Sequence, residues 1–166
     1  MLGAFPASTL ERFLALYADA KKLAEILESL PQTLCHNDTG RANLFSQDKG
    51  GTEETVAIDW SFVGIGAVGE DLGTMIGGHI ATGEIPIESA GEYVYNSFEA
   101  YLSGLDDFGW HGKASDIRTT MFTAAALRHA TFTGLVIERF AKDEPDPWID
   151  SWAKARSSTE DEVLAR

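Results

Sequence analysis

One short stretch constrains the fold of this chain more than any other. Residues 36–43 read His-Asn-Asp-Thr-Gly-Arg-Ala-Asn, which gives the spacing H-x-D-x4-N. An apolar run at residues 33–35 leads into this stretch, and the apolar pair Leu44 and Phe45 follows it. Short apolar runs bounded by polar residues and glycine are typical of strands. The sequence therefore predicts a polar loop held at both ends by small strands, which is how rigid scaffolds present reactive side chains.

A second acidic residue is expected beside this loop. Residues 47–51 (Gln-Asp-Lys-Gly-Gly) predict a hairpin turn, and residues 55–58 predict a return strand that ends on Asp59. A carboxylate near an attacking hydroxyl, with an amide and a second carboxylate on Mg²⁺, is the set of groups that transfers a phosphoryl group. The spacing offers Asp38 for the first role. It offers Asn43 and Asp59 for the second, since Mg²⁺ prefers oxygen ligands.

The rest of the chain predicts helices. Apolar residues recur at three- and four-residue spacing from Ser8 to Ser29, with a capping-box sequence at residues 8–11, and Pro31 ends the pattern. Further helices are predicted at residues 70–81, 86–103, 113–140 and 148–164, and strands at residues 33–35, 43–46 and 55–58. The expected fold class is α+β and mostly α, with about five helices and a small β-hairpin that carries the polar loops. Residues 1–166 are expected to form a single domain.

Composition excludes several classes of partner. The net charge of −13 argues against nucleic acid, because binding to a phosphate backbone requires a basic face. The charge is compatible with a cationic small molecule, although solvation of the surface is its more ordinary role. No apolar run is long enough to span a membrane, and residues 1–6 lack the pattern of a signal peptide. The single cysteine, Cys35, fits a reducing cytoplasm.

Several motifs together carry a resemblance to a known family. Residues 34–45 hold the loop motif with its flanking strands, residues 57–60 read Ala-Ile-Asp-Trp, and Gly66 is followed by Gly-Glu-Asp-Leu at residues 69–72. This combination resembles the aminoglycoside phosphotransferase and choline kinase-like family, which shares its fold and its magnesium chemistry with protein kinases. By motif the resemblance covers roughly residues 30–75, and the helical remainder is compatible with the C-terminal lobe of that family.

The resemblance implies an enzyme that transfers the γ-phosphoryl group of ATP, or of another nucleoside triphosphate, to a hydroxyl of a small molecule such as an aminoglycoside or an amino alcohol. It implies that Asp38 orients the acceptor hydroxyl and receives its proton. It also implies that Asn43 and Asp59 hold Mg²⁺. His36 is expected to tie the loop to the segment of Asp59. Asp71 is expected to hold the loop as a structural cap, because a carboxylate is favourable at a helix N-terminus.

Other polar residues are weaker candidates for the acceptor site. Arg41 lies inside the loop, where it could face phosphate or substrate, although a solvated arginine is as good an interpretation. The acceptor is expected between the loop and the helices that follow residue 86. Acidic side chains in that part of the chain would suit a cationic acceptor, and they are Glu92, Asp106, Asp107 and Glu138.

The N-terminal lobe of the family has no counterpart in this sequence. Only 35 residues precede His36, and most belong to one predicted helix. A complete member carries there a sheet, a phosphate-covering loop and a lysine that pairs with nucleotide phosphates. We therefore expect a C-terminal lobe that turns over poorly alone, either truncated from a longer enzyme, which we favour, or completed by another polypeptide. A surface near Leu2, Phe5 and the hairpin would then be exposed.

Two other interpretations remain open. A kinase-like lobe could serve as a non-catalytic binding or scaffold domain for a small molecule. Residues 64–69 read Gly-Ile-Gly-Ala-Val-Gly, the G-x-G-x-x-G pattern of dinucleotide-binding oxidoreductases. In those sites the first glycine follows its strand directly, whereas residues 59–63 intervene here, and no second parallel strand with a terminal acid follows. The dinucleotide interpretation is therefore the weaker of the two.

Overall fold

Short strands and 3-10 turns lie between the helices in the computed structural model of the chain. It describes the backbone of residues 7–141 and 147, and the side chains of residues 8, 11–129 and 147. In chain order the elements are α1 (Ala7–Ala18), α2 (Ala20–Ser29), β1 (Gln32–Cys35), a 3-10 turn (Arg41–Asn43), β2 (Leu44–Asp48), β3 (Glu53–Ala57), a 3-10 turn (Trp60–Phe62), β4 (Gly64–Ala67), α3 (Glu70–Ala81), a 3-10 turn (Ile87–Ser89), α4 (Ala90–Asp107) and α5 (Ala114–Ala141). This part of the chain is mostly helical with small antiparallel sheets, as the sequence predicts.

The described strands form two antiparallel sheets of two strands each. β2 pairs with β3, with Leu44 opposite Ala57, which is the predicted hairpin with its ends shifted by one or two residues. β1, predicted as a short strand at residues 33–35, pairs with β4, with Cys35 opposite Gly64. The sequence pattern does not predict β4, because glycines weaken the signal of a strand interior.

The glycines of β4 allow it to pack closely under the polar loop. A Cβ at Gly66 would lie 2.7 Å from Oε2 of Glu70 and 3.0 Å from Sγ of Cys35, so a larger residue would have to displace these side chains. Both Gly64 and Gly66 lie within β4, which pairs antiparallel with β1. They do not form the strand-to-helix turn that cradles a dinucleotide, and this contradicts the dinucleotide interpretation.

The predicted helix over residues 8–29 is in fact two helices. Asp19 interrupts it, in keeping with the low helix propensity of aspartate. The N–H of Asp19 still donates to the carbonyl of Ala15 (3.1 Å), and its carbonyl accepts the N–H of Leu23 (3.0 Å), so hydrogen bonding continues across the interruption. Ser8 lies within α1, so the predicted capping box at residues 8–11 is wrong.

The later helices follow the prediction with shifted ends. α3 has its predicted bounds, and both ends of α5 lie one residue later than predicted. α4 begins at Ala90 instead of near residue 86, because Pro86 has an extended backbone and a 3-10 turn follows it. The helix predicted at residues 148–164 lies outside the described residues. None of the described helices combines the length and the apolar character that a membrane span requires.

The core lies between α3, α4 and α5 and fixes the N-terminus of α3. Its buried apolar side chains are Val68, Leu72, Ile76, Phe98, Ile117 and Met121. α3 and α5 approach so closely at Gly73 that an added Cβ would clash with the backbone of Met121. This packing therefore fixes the position of the first turn of α3, which carries Asp71.

Gly73→Ala is expected to destabilise the protein, even though alanine favours helices. The added methyl must push α3 away from α5, and such overpacking costs about 1–3 kcal/mol, against about 1 kcal/mol gained from helix propensity. Gly91→Ala in α4 is the matched control, because its Cβ would meet no atom within 4 Å, and it should not destabilise the protein. Urea unfolding measures both variants. Equal stability of the two would contradict the close packing at Gly73.

Candidate active site

Asp71 holds the polar loop through both of its carboxylate oxygens. Its Oδ2 accepts the backbone N–H of His36 at 2.7 Å, and its Oδ1 accepts the backbone N–H of Asn37 at 2.8 Å. The hydroxyl of Thr39 donates to the backbone carbonyl of Asp71 at 3.0 Å. Hydrogen bonds to a carboxylate are stronger than neutral ones. The loop is therefore fixed to the first turn of α3.

The buried ring of His36 links the loop to the residue before Asp59. Its Nε2 lies 2.8 Å from the carbonyl oxygen of Ile58, and its Nδ1 lies 3.2 Å from the backbone nitrogen of Asp38. Because a carbonyl only accepts and a backbone N–H only donates, these contacts assign Nε2 as the donor and Nδ1 as the acceptor. The ring of Trp60 lies 4.6 Å from the ring of His36, between centroids. Both ring nitrogens are thus engaged in structural contacts.

Asp38 and Asn43, the two polar residues at the ends of the motif, are in direct contact. Nδ2 of Asn43 donates to the carboxylate Oδ2 and to the backbone carbonyl of Asp38, both at 2.9 Å. The N–H of Asn43 donates to the carbonyl of Gly40 at 2.9 Å, which closes the turn from Gly40 to Asn43. Within the described residues, Oδ1 of Asp38 and the amide oxygen of Asn43 take no part in these hydrogen bonds.

A backbone hydrogen bond of the preceding residue, Ile58, places Asp59 beside Asp38 and Asn43. The N–H of Ile58 donates to the carbonyl of Asn43 at 3.0 Å. Asp59 is exposed and has a left-handed backbone with φ of 58° and ψ of 63°, and its Oδ1 accepts the hydroxyl of Ser61 at 2.7 Å. Such a conformation is strained for a residue other than glycine, and strain of this kind concentrates at functional sites. The hairpin thus presents Asp59 to solvent next to the loop of Asp38.

The donors available for a metal ion are oxygen atoms, and they are few. Within the described side chains, no group of three or more His, Cys, Asp or Glu residues could hold a metal ion. Mg²⁺ is commonly held by only one or two protein groups together with substrate phosphates and water. The amide oxygen of Asn43 and the carboxylate of Asp59 belong to that class of ligand. These two residues suit a Mg²⁺ ion that also takes ligands from a nucleotide and from water. They are too few to coordinate the ion completely.

Glu70, which the sequence analysis does not single out, supports the strand beneath the loop. Its Oε2 accepts the backbone N–H of Ala67 at 2.9 Å. Cys35 is buried beside it, and burial, together with the nearby carboxylates of Asp71 and Glu70, raises the pKa of its thiol from 9.0 to about 11. The signal that could have identified Glu70 is an acid in the first turn of a helix, where carboxylates are favourable.

Arg41 lies on the outer side of the loop, close to the turn after α3. Its side chain is largely exposed, and Nη1 lies 4.0 Å from Oε2 of Glu84. Oε1 of Glu84 accepts the hydroxyl of Thr82 at 3.0 Å. An exposed ion pair of this length contributes little stability. Glu84 is thus an acidic residue beside the loop that sequence reasoning missed, because nothing in the sequence gives its distance from Arg41.

The acidic residues expected to bind a cationic acceptor do not form one group. Glu92 lies in the first turn of α4, and Asp106 and Asp107 lie in its last, so about 20 Å of helix separates them. A single small acceptor cannot contact both ends of α4, so Glu92 on one side and Asp106 and Asp107 on the other are separate candidates. The side chain of Glu138 lies outside the described residues.

Comparison with known proteins gives a match to one family. The family model APH, described as a phosphotransferase enzyme family, matches residues 3–113. This range contains the polar loop, both sheets and the first turn of α3. No curated protein and no solved structure matched the chain.

Cys35 is expected to be nearly unreactive toward a disulfide reagent in the folded protein. A pKa of about 11 instead of 9.0 leaves roughly a hundredfold less thiolate near neutral pH. The folded state holds this proton more tightly than the unfolded state. The stability from this group is therefore complete below pH 9.0 and is lost as the pH rises through about 11.

Labelling kinetics with and without urea measure the reactivity of this thiol. The free energy of unfolding at alkaline pH, compared between the wild type and Cys35→Ala, measures the contribution of this thiol to stability. The alanine variant should lack this part of the pH dependence. Fast labelling of the folded protein near pH 8 would show that the thiol is not protected in this way.

Proposed function

Because this chain belongs to the phosphotransferase enzyme family, we propose that it transfers the γ-phosphoryl group of ATP, or of another nucleoside triphosphate, to a hydroxyl of a small molecule. The observation that carries the proposal is the contact of Asp38 with Asn43, beside the segment of Asp59. These residues supply a carboxylate for the acceptor and two oxygen donors for Mg²⁺. The enzyme is a kinase with an alcohol group as acceptor.

Asp38 acts on the acceptor in this proposal. Its Oδ1 accepts the hydroxyl proton as the acceptor oxygen bonds to the γ-phosphorus. The bond from the γ-phosphorus to the bridging oxygen breaks, and the nucleoside diphosphate leaves with that electron pair. The transition state of this reaction is loose, so orientation of the hydroxyl matters more than the basicity of the carboxylate. The amide of Asn43 provides that orientation by holding the other oxygen of Asp38.

Asn43 and Asp59 would hold Mg²⁺ in this proposal, and the bound ion would supply positive charge against the phosphates of the nucleotide. The hydroxyl of Ser61 orients the carboxylate of Asp59. The hydrogen bond from His36 to Ile58 keeps that carboxylate at a set distance from the loop of Asp38. The metal ligands and the acceptor-binding carboxylate are thereby held as one unit.

Exposed apolar side chains on the hairpin and in the turn after Asp59 support a second part of the proposal. Phe45, Trp60 and Phe62 are 49%, 48% and 63% exposed, which is high for side chains of this size. Exposed apolar surface of this kind marks interaction sites. A nucleotide-gripping lobe, from the same or another polypeptide, would cover it and supply a cationic group for the phosphates. Leu2 and Phe5, expected in the same surface, lie outside the described residues.

The acceptor we propose is an amino sugar, an amino alcohol or a similar metabolite. The net charge of −13 is compatible with a cationic molecule, and Glu84, which pairs with Arg41, places a carboxylate near the loop. A cytoplasmic location, where ATP is abundant, belongs to the same proposal.

Nucleotide binding in the presence of Mg²⁺ tests the proposed function. Asp59→Ala should weaken Mg²⁺-dependent ATP binding by at least about tenfold, because it removes a direct ligand, and loss of a group that only orients a ligand already costs about that much. Asp38→Asn should bind nucleotide like the wild type and lose transfer of label from γ-labelled ATP to an aminoglycoside or an amino alcohol. Glu99→Ala, exposed in the middle of α4, is the matched control for loss of one carboxylate.

Two results would count against this function. ATP binding that is insensitive both to Mg²⁺ and to Asp59→Ala would contradict the assigned metal ligands. Binding of a small amine that survives both Asp38→Ala and Asp59→Ala, without any phosphoryl transfer, would instead favour a non-catalytic binding domain.

A further inference from the structure

Asn37 has an unusual backbone conformation directly before the candidate catalytic carboxylate. Its φ is 63°, in the left-handed region. Asparagine adopts this region more readily than most residues, and glycine adopts it most readily of all. Glycine would therefore satisfy the backbone requirement at this position. The side chain of Asn37 needs a separate explanation, which its contacts supply.

The side chain of Asn37 bridges the two loops of the site. Its Nδ2 donates to the backbone carbonyl of Phe62 at 3.1 Å. Phe62 ends the 3-10 turn that directly follows Asp59. The amide passes close to Gly64, where an added Cβ would lie 3.3 Å from Nδ2. The chain thus has glycine where a larger residue would press on this amide.

The bridge from Asn37 completes a pair of links around Asp59. His36 contacts the carbonyl of Ile58, immediately before Asp59, and Asn37 contacts the carbonyl of Phe62, three residues after it. A segment held on one side only can rotate about that contact, whereas a segment held on both sides has a fixed orientation. The backbone of Asn37 is itself fixed, because its N–H donates to Asp71.

We propose that Asn37 is a positioning residue, whose side-chain amide fixes the segment that follows Asp59 relative to Asp38. It thereby sets the place of Mg²⁺ with respect to the acceptor hydroxyl. This inference rests on the proposed function, because it assigns Asn37 a role in the same phosphoryl transfer. Asn37 acts through the backbone of Phe62 and does not touch the nucleotide or the acceptor.

Asn37→Gly isolates the bridge, because glycine keeps the left-handed backbone and removes only the side chain. The N–H of Val63 donates to the carbonyl of Trp60 at 3.1 Å within the turn. Its hydrogen exchange should become about tenfold faster in the variant. The N–H of His36, held by Asp71, should keep its wild-type rate and serves as the internal reference.

The functional readout uses Mn²⁺ and ATP as probes. Asn37→Gly should raise the dissociation constant of Mn²⁺ in the presence of ATP about tenfold, as loss of a group that orients a ligand does. It should lower kcat and leave the KM of the acceptor nearly unchanged. A general structural role would lower the melting temperature and would not produce this pattern.

Gly64→Ala tests the same contact from the other side. The added methyl presses on Nδ2 of Asn37 and should reproduce the Asn37→Gly effects in weaker form. In an Asn37→Gly background it should have no further effect, because the two changes disrupt one contact. Gly91→Ala is the control for the added methyl. Additive effects of the two changes would overturn the shared contact.

The failure of this inference differs from the failure of the proposed function. A wild-type chain that binds no Mn²⁺ even at saturating ATP would refute the metal ligands on which the function depends, and exchange at Val63 would still decide whether Asn37 fixes the segment. If the wild type binds both, and Asn37→Gly matches it in Mn²⁺ affinity, kcat and Val63 exchange, the inference is overturned while the function stands.

Discussion

The site depends on one carboxylate at the start of a core helix. Asp71 uses both oxygens to hold the backbone of His36 and Asn37, so the loop takes its shape from the position of α3. α3 is in turn fixed because Gly73 allows α5 to pack against it. Core packing thus sets the geometry of polar groups at the surface. Reactions that depend on orientation require such rigid support.

Around this anchor, the two loops are joined by hydrogen bonds to backbone atoms and not by salt bridges. The ring of His36 and the carbonyl of Asn43 both engage Ile58, which places Asp59 beside Asp38. Asn37 and Asp59 are the non-glycine residues with positive φ in the described part of the chain, and both lie in this site. Strained backbone persists only where the surroundings impose it, and here the surroundings are the network anchored at Asp71.

Local patterns in the sequence predict the hairpin and the polar loop, because apolar runs, a Gly-Gly turn and the motif spacing determine both. β4 could not be predicted in this way, since its partner β1 is distant in sequence and its glycines weaken the strand signal. The spacing of candidate residues along the sequence also does not give the distances between them in the folded protein. Glu92 and Asp106 share α4 yet lie near opposite ends, whereas Glu84 lies beside Arg41 without any motif to indicate it.

Backbone amide exchange at His36 and Asn37 tests this account most directly. In the wild type both amides should exchange slowly, because the carboxylate of Asp71 accepts them. Asp71→Asn keeps the shape of the side chain and leaves one oxygen acceptor in place of two. Both amides should then exchange at least about tenfold faster, while the hairpin of β2 and β3 keeps its wild-type rates. Unchanged exchange in Asp71→Asn would contradict the account, because the loop would then hold its shape without this carboxylate.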